Sequence, residues 1–234
     1  MLFSYITIRN QIHLKLSAIM IHIKSFSFNP FQVNTYVLYD ETRECLIIDA
    51  SCYHDHEFEE LFGFIQGESL KPIAVLNTHG HVDHLTGARR VCDKYSIGLL
   101  MHQSDKPLLD QAGVYGRSFG FQVETPPEPA AWLNDSDTYQ FGSSEIKALH
   151  TPGHSPGSLV FYSPEAKILI TGDVLFDGSI GRTDLPGGNF TQLIESIRTK
   201  ILVLPRDTRV FPGHGSETGV GKEADHNPFL NRSS

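Results

Sequence analysis

The chain has 234 residues, 40% hydrophobic and 20% charged, which suits one globular α/β domain with a sizeable core. Its formal charge of −8, with no stretch that combines clustered Lys/Arg and aromatic platforms, argues against a nucleic-acid groove, and no apolar run approaches membrane-spanning length. Cys45, Cys52 and Cys92 lack metal or disulfide spacing and read as reduced thiols of a cytoplasmic protein.

Residues 1–19 do not read as a signal peptide, because Arg9, Asn10, Gln11, His13 and Lys15 interrupt any apolar core. Runs rich in β-branched and aromatic residues then predict strands over 21–28, 33–39 and 44–49. A helix is predicted over 54–66, with Phe58, Leu61, Phe62 and Ile65 on one face. A strand over 73–76 leads into THGHVDH at 78–84, after which Leu85, Ala88, Val91, Cys92 and Tyr95 mark a second helix. A short strand over 97–101 and a helix over 104–111 complete the first half. Residues 112–135, with three glycines and three prolines, read as a long loop or lid that offers Tyr115, Arg117, Phe119 and Trp132 to a substrate. Strands follow over 145–149, 158–162 and 167–170, and a helix over 189–201 carries Phe190, Leu193, Ile194, Ile197 and Ile201 on one face. A β-rich then helical order in each half suits two sheets sandwiched between helix layers.

The chemistry concentrates at strand ends. THGHVDH puts His79, His81, Asp83 and His84 on one short loop, and imidazole and carboxylate are the ligands that borderline cations such as Zn²⁺ accept. A lone His-x-His pair is commonly just solvated. Here three further β-like runs end in a Gly-bearing turn with a ligand: His154 in TPGHSPG, Asp173 in TGD and His214 in PGHG. Five histidines and two aspartates exceed one tetrahedral ion but suit two ions sharing a bridging carboxylate. Asp49 and His150, at strand ends near the motifs, are candidates for orienting ligands from behind. Cys52 lies close enough to Asp49 in sequence to approach the site.

These motifs, in this order, resemble the metallo-β-lactamase superfamily over nearly all of residues 20–230. The resemblance implies an αββα sandwich, two mixed β-sheets between helix layers with the metals at one edge, formed by residues 20–234 with 1–19 as an extension. It implies a first metal on His79, His81 and His154, a second on Asp83, His84 and His214, and Asp173 as the bridge, with Asp83 and Asp173 serving catalysis. GSIGRTDLPGG at 178–188, PGHGSET and NPFL look like the small glyoxalase II-like, or hydroxyacylglutathione hydrolase-like, subfamily. That likeness implies hydrolysis of a small-molecule thioester such as S-lactoylglutathione by a metal-bridging hydroxide, with two divalent ions, zinc first and iron or manganese as alternatives. Arg182 and Tyr115 are the candidate substrate contacts, Arg182 also being placed to pair with Asp184. Full-length hydroxyacylglutathione hydrolases add a helical domain with basic residues that grip glutathione. Asn231 and Arg232 stand where that basic run begins, so activity on simpler thioesters is expected.

The main alternative is a persulfide dioxygenase, a class that shares the GRTD run and holds one iron on residues matching His79, His154 and Asp173. The intact PGHG around His214 favours hydrolysis. A hydrolase of another ester or lactone is a further alternative. A β-lactamase is disfavoured because the motif positions lack the cysteine ligand of several such enzymes, and a non-catalytic module because no ligand is missing.

Overall fold

The computed structural model describes residues 20–120 and 122–231; the expectation for residues 1–19 lies outside these. β1 (His22–Phe28), alternating in exposure from Ser25 onward, pairs antiparallel with β2 (Val33–Tyr39), and β2 with β3 (Glu44–Ile48). The chain then crosses through α1 (Asp55–Gly67) to β4 (Lys71–Leu76), and through α2 (Ala88–Tyr95) to β5 (Gly98–Met101). Both crossovers give parallel pairs, and a two-residue β6 (Ala131–Trp132) completes a six-stranded sheet in sequential order.

The second half builds another six-stranded sheet. Antiparallel β7 (Thr138–Phe141), β8 (Ser144–His150), β9 (Leu159–Ser163) and β10 (Ile168–Gly172) are followed by β13 (Arg209–Pro212), parallel to β10, and an edge strand β14 (Thr218–Gly219). A small hairpin of β11 (Leu175–Phe176) and β12 (Ser179–Ile180), then α5 (Phe190–Ser196), lie between β10 and β13, and α6 (Val220–His226) comes last.

Side-chain alternation along the strands makes three apolar layers. Tyr36, Leu38, Leu46, Ile48 and Leu76 of the first sheet meet Phe141, Phe161, Ile170 and Phe211 of the second. The intervening residues Val37, Cys45, Ile47 and Val75 face outward onto Phe58, Leu61 and Ile65 of α1 and Val91 of α2. On the opposite flank Val160, Leu169 and Val210 pack against Leu193, Ile197, Ile201 and Val220. The fold is therefore the αββα sandwich.

The predicted loop over 112–135 needs correction: α3 (Lys106–Asp110) is followed at once by α4 (Ala112–Ser118). AGVYGRS has poor helix propensity, but Ala112 and Gly116 are buried, and packing overrides propensity. Trp132 also leaves the predicted lid, since it sits in β6 and, partly buried, packs against the core. The helix expected over 189–201 is α-helical only to Ser196 and continues as a wider π turn over Ile197–Ile201. Strands β7 and β13, the edge pairings and α6 were not anticipated. No helix among the described residues is long and apolar enough to cross a membrane.

Candidate metal centre

Four strands deliver the candidate ligands to one edge of the sandwich. The loop after β4 carries His79, His81, Asp83 and His84, the turn between β8 and β9 carries His154, and Asp173 and His214 directly follow the β10 and β13 stretches. Parallel pairing of β10 with β13 places Gly172 opposite Pro212, which brings Asp173 and His214 side by side. Gly213 is required for this approach, because a Cβ there would stand 2.2 Å from Asp173 Oδ1. A donation from the Leu159 amide to the Thr78 carbonyl (2.7 Å) joins the second sheet to the first loop.

Hydrogen bonds behind the rings decide which imidazole nitrogen faces inward. His154 Nδ1 donates to the Arg182 carbonyl (2.8 Å) and His214 Nδ1 to the Phe31 carbonyl (2.9 Å). His84 Nδ1 donates to Asp49 Oδ2 (3.0 Å). Thr78 gives its hydroxyl proton to the same carboxylate oxygen (2.7 Å), so its oxygen accepts from His79 Nδ1 at 3.0 Å. Four rings thus commit Nδ1 and turn Nε2 inward. His81 is reversed, with Nδ1 2.9 Å from His154 Nε2, which is itself 3.3 Å from His79 Nε2. A tetrahedral ion with metal–nitrogen bonds of about 2.0–2.1 Å separates its ligand atoms by roughly 3.3 Å. The His79–His154 separation matches that spacing, and the His81–His154 one is slightly shorter.

The structure brings together all seven predicted ligands, with His79, His81 and His154 as one group and Asp83, His84 and His214 as another. Asp173 lies between them, its Oδ2 3.7 Å from His154 Nε2 and 3.5 Å from His214 Nε2. The donors fit cations better than they fit one another. His84 Nε2 and Asp173 Oδ1 are 3.4 Å apart and buried, yet neither has an aligned hydrogen-bond partner among the described residues. Buried polar atoms oriented in this way suit ligation of a cation.

The charges agree. Burial works against a proton on His84, but the carboxylates of Asp173, Asp83 and Asp49 outweigh it and raise its pKa well above that of free histidine. His214, opposed by burial but hydrogen-bonded to Asp173 and Asp83, is raised to about 9. Burial holds His79 well below the usual value and, with His154 beside it, lowers His81 to about 4. Burial acts to raise Asp83 and Asp173, but the neighbouring His84 and His214 keep both ionised. A cation must therefore displace protons from His84 and His214. Adding zinc to the metal-stripped protein at pH 7 is expected to release about two protons per chain, both from the Asp83–His84–His214 group, with apparent affinity at that group rising as pH increases toward 9. Calorimetry in two buffers of different ionisation enthalpy checks this, and absence of proton release would refute it.

Asp49 occupies the predicted supporting position: its other oxygen accepts the Thr78 amide (2.7 Å), so one carboxylate ties together Thr78, His79 and His84. His150 is placed elsewhere, since its ring meets the Pro156 carbonyl (2.9 Å) and stacks on His102 at 4.0 Å instead of on a ligand. Cys52 is buried with its Sγ toward the Glu57 carbonyl, in the outer core rather than the site. All three thiols are buried and unpaired. Tyr115 and Arg182 both line a cavity of about 250 Å³ directly over the ligands, with Phe119 but not Arg117, which borders a separate hollow. Arg182 is exposed and held bidentately by Asp184 (2.7 Å each). Sequence reasoning missed Phe31 and Asp105, the latter being buried behind the His79–His81 loop.

The sandwich and its histidine–aspartate edge define a metallo-hydrolase class, and the chain belongs to the Metallo-beta-lactamase superfamily, whose profile matches residues 28–214. It is 41% identical over 203 residues to the probable metallo-hydrolase YqgX of Bacillus subtilis (strain 168), covering 86% of this chain and 94% of that protein. It is 35% identical over 215 residues to the hydroxyacylglutathione hydrolase GloC of Haemophilus influenzae (strain ATCC 51907 / DSM 11121 / KW20 / Rd), covering 91% and 100%. Among solved structures it is similar to the BLEG-1 B3 metallo-beta-lactamase (TM-score 0.83, 40% identity, 90% of this chain and all of that one). It is also similar to the di-iron-bound form of TTHA1623 (TM-score 0.80, 36% identity, 88% and 100%).

Proposed function

We propose that this chain is a metal-dependent hydrolase of small-molecule thioesters. The observation that carries the reading is Asp173, set between two complete ligand groups beneath a cavity walled by Val82, Leu108, Tyr115, Leu185 and Pro186. His79, His81 and His154 would hold one divalent cation and Asp83, His84 and His214 the other, with Asp173 shared. Zinc suits the nitrogen-rich set, and iron, present in the TTHA1623 structure, or manganese would also be accepted. Such a pair supplies a hydroxide nucleophile at neutral pH and Lewis-acid stabilisation of the developing oxyanion.

The protein's own residues do the positioning. Asp49, Thr78 and the Arg182 and Phe31 carbonyls lock the rings, so little reorganisation accompanies reaction. The apolar walls would favour a thioester's carbon chain over water beside the ligands. Tyr115 and Arg182 are positioned to touch the acyl or thiol part of the substrate. The complete Asp83, His84 and His214 group supports a dinuclear hydrolase over the mononuclear-iron alternative. Buried, unpaired cysteines suit a reducing cytoplasm.

Metal analysis of the protein as purified, with turnover of S-lactoylglutathione, glutathione persulfide and a penicillin, tests the assignment. Two ions and thiol release support it. One iron with oxygen uptake, or β-lactam cleavage without thiol release, overturns it.

The cavity also bears on the leaving thiol. Its rim is apolar, with Phe31 and Phe119 edge to face at 5.8 Å, and its cation Arg182 is engaged by Asp184. Turnover is therefore expected for the same acyl group on a small uncharged thiol, with kcat/KM within about tenfold of that for the glutathione ester. A thousandfold preference for glutathione, about 4 kcal/mol of transition-state binding, would count against this.

A further inference from the structure

Asp105 ends the short 3-10 turn before α3, far from any ligand in sequence and fully buried. Its Oδ2 accepts the Gly80 amide (2.8 Å) and the Ser155 hydroxyl (2.7 Å), and its Oδ1 accepts the Gly157 amide (2.6 Å). Gly80 lies between His79 and His81, while Ser155 and Gly157 follow His154. One carboxylate thus bonds to both segments that carry the three-histidine group. These segments belong to different sheets, one after β4 and the other between β8 and β9. The approach is close enough to need glycine: a Cβ at position 157 would stand 2.7 Å from the carboxylate carbon, and one at 80 would stand 3.0 Å from the Asp105 Cβ and the Leu108 Cβ. Ser155 is secured further, its amide donating to Ser158 Oγ at 3.1 Å. Donors supplied by the two loops are therefore its hydrogen-bond partners.

We infer that Asp105 is a positioning residue for the His79–His81–His154 metal position alone, a clamp that sets the distance between the two ligand loops. Asp83, His84 and His214 share none of its hydrogen-bond partners. Asparagine cannot replace it. An amide oxygen at the Oδ2 position would leave an NH₂ facing the Gly157 N–H, donor against donor. The inference rests on the metal centre proposed above and not on the substrate.

The test measures zinc affinity by chelator competition on metal-stripped protein in two backgrounds. With His214→Ala weakening the second position, Asp105→Asn is expected to lower affinity at the remaining position at least tenfold. With His154→Ala weakening the first, the same change should leave affinity within threefold. Ser155→Ala, which removes one donor and keeps the carboxylate, serves where Asp105→Asn does not fold, and should shift affinity several-fold in the same direction in the first background only. Equal losses in both backgrounds, or none in the first, overturn the clamp. Failure of the unmutated chain to bind zinc would instead overturn the metal centre on which it rests.

Discussion

Asp173→Asn is expected to lower the thioesterase rate by at least about a hundredfold, some 2.7 kcal/mol at 1.36 per decade, while leaving the far-UV spectrum unchanged. The amide matches the carboxylate in size, so the close contact with Gly213 and the β10–β13 register survive. What disappears is the anion between the two ligand groups, whose Oδ2 lies 3.7 Å from His154 Nε2 and 3.5 Å from His214 Nε2. Without it, two like charges would be held close together with poor screening, and metal content should fall below two per chain. Metal analysis and steady-state assay of the same preparation check this. Two retained ions with near-normal turnover would show that Asp173 is not the bridge.

Asp49→Ala should act on the fold as much as on the site. Its carboxylate accepts from the Thr78 amide, the Thr78 hydroxyl and His84 Nδ1, all buried. Deleting it strands these donors and removes a counter-charge from His84, at a cost of about 3–5 kcal/mol. For a domain of this size that corresponds to a melting temperature lower by roughly 6–20 °C. A thermal melt of metal-stripped protein reads the effect without the contribution of bound ions. A fall of under about 3 °C would mean that the loop holds its shape without the carboxylate.

Both substitutions concern residues that are visible in the sequence, for a common reason. The ligands cluster in four short glycine-containing turns at the ends of β-like runs, so THGHVDH, TPGH, TGD and PGHG mark strand ends and ligands together. Asp49 was legible only as a carboxylate at a strand end near the motifs. Its left-handed backbone (φ 52°) ends β3 and turns the chain there. His150 met the same criterion of a polar residue at a strand end, yet its ring stacks on His102. Position along a strand does not specify what lies across the turn.

What the sequence determined by itself was therefore local: the strand and helix stripes, the ligand types and their order, and through them the sandwich class. Tertiary structure alone decided which nitrogen of His154 and His214 faces inward, because their acceptors at Arg182 and Phe31 are backbone carbonyls, which every residue possesses and no motif records. It likewise decided that AGVYGRS is a helix, since burial of Ala112 and Gly116 overrides weak propensity. Asp105 shows the same limit: its partners lie 25, 50 and 52 residues away, and only the packing of the two sheets brings them to one carboxylate.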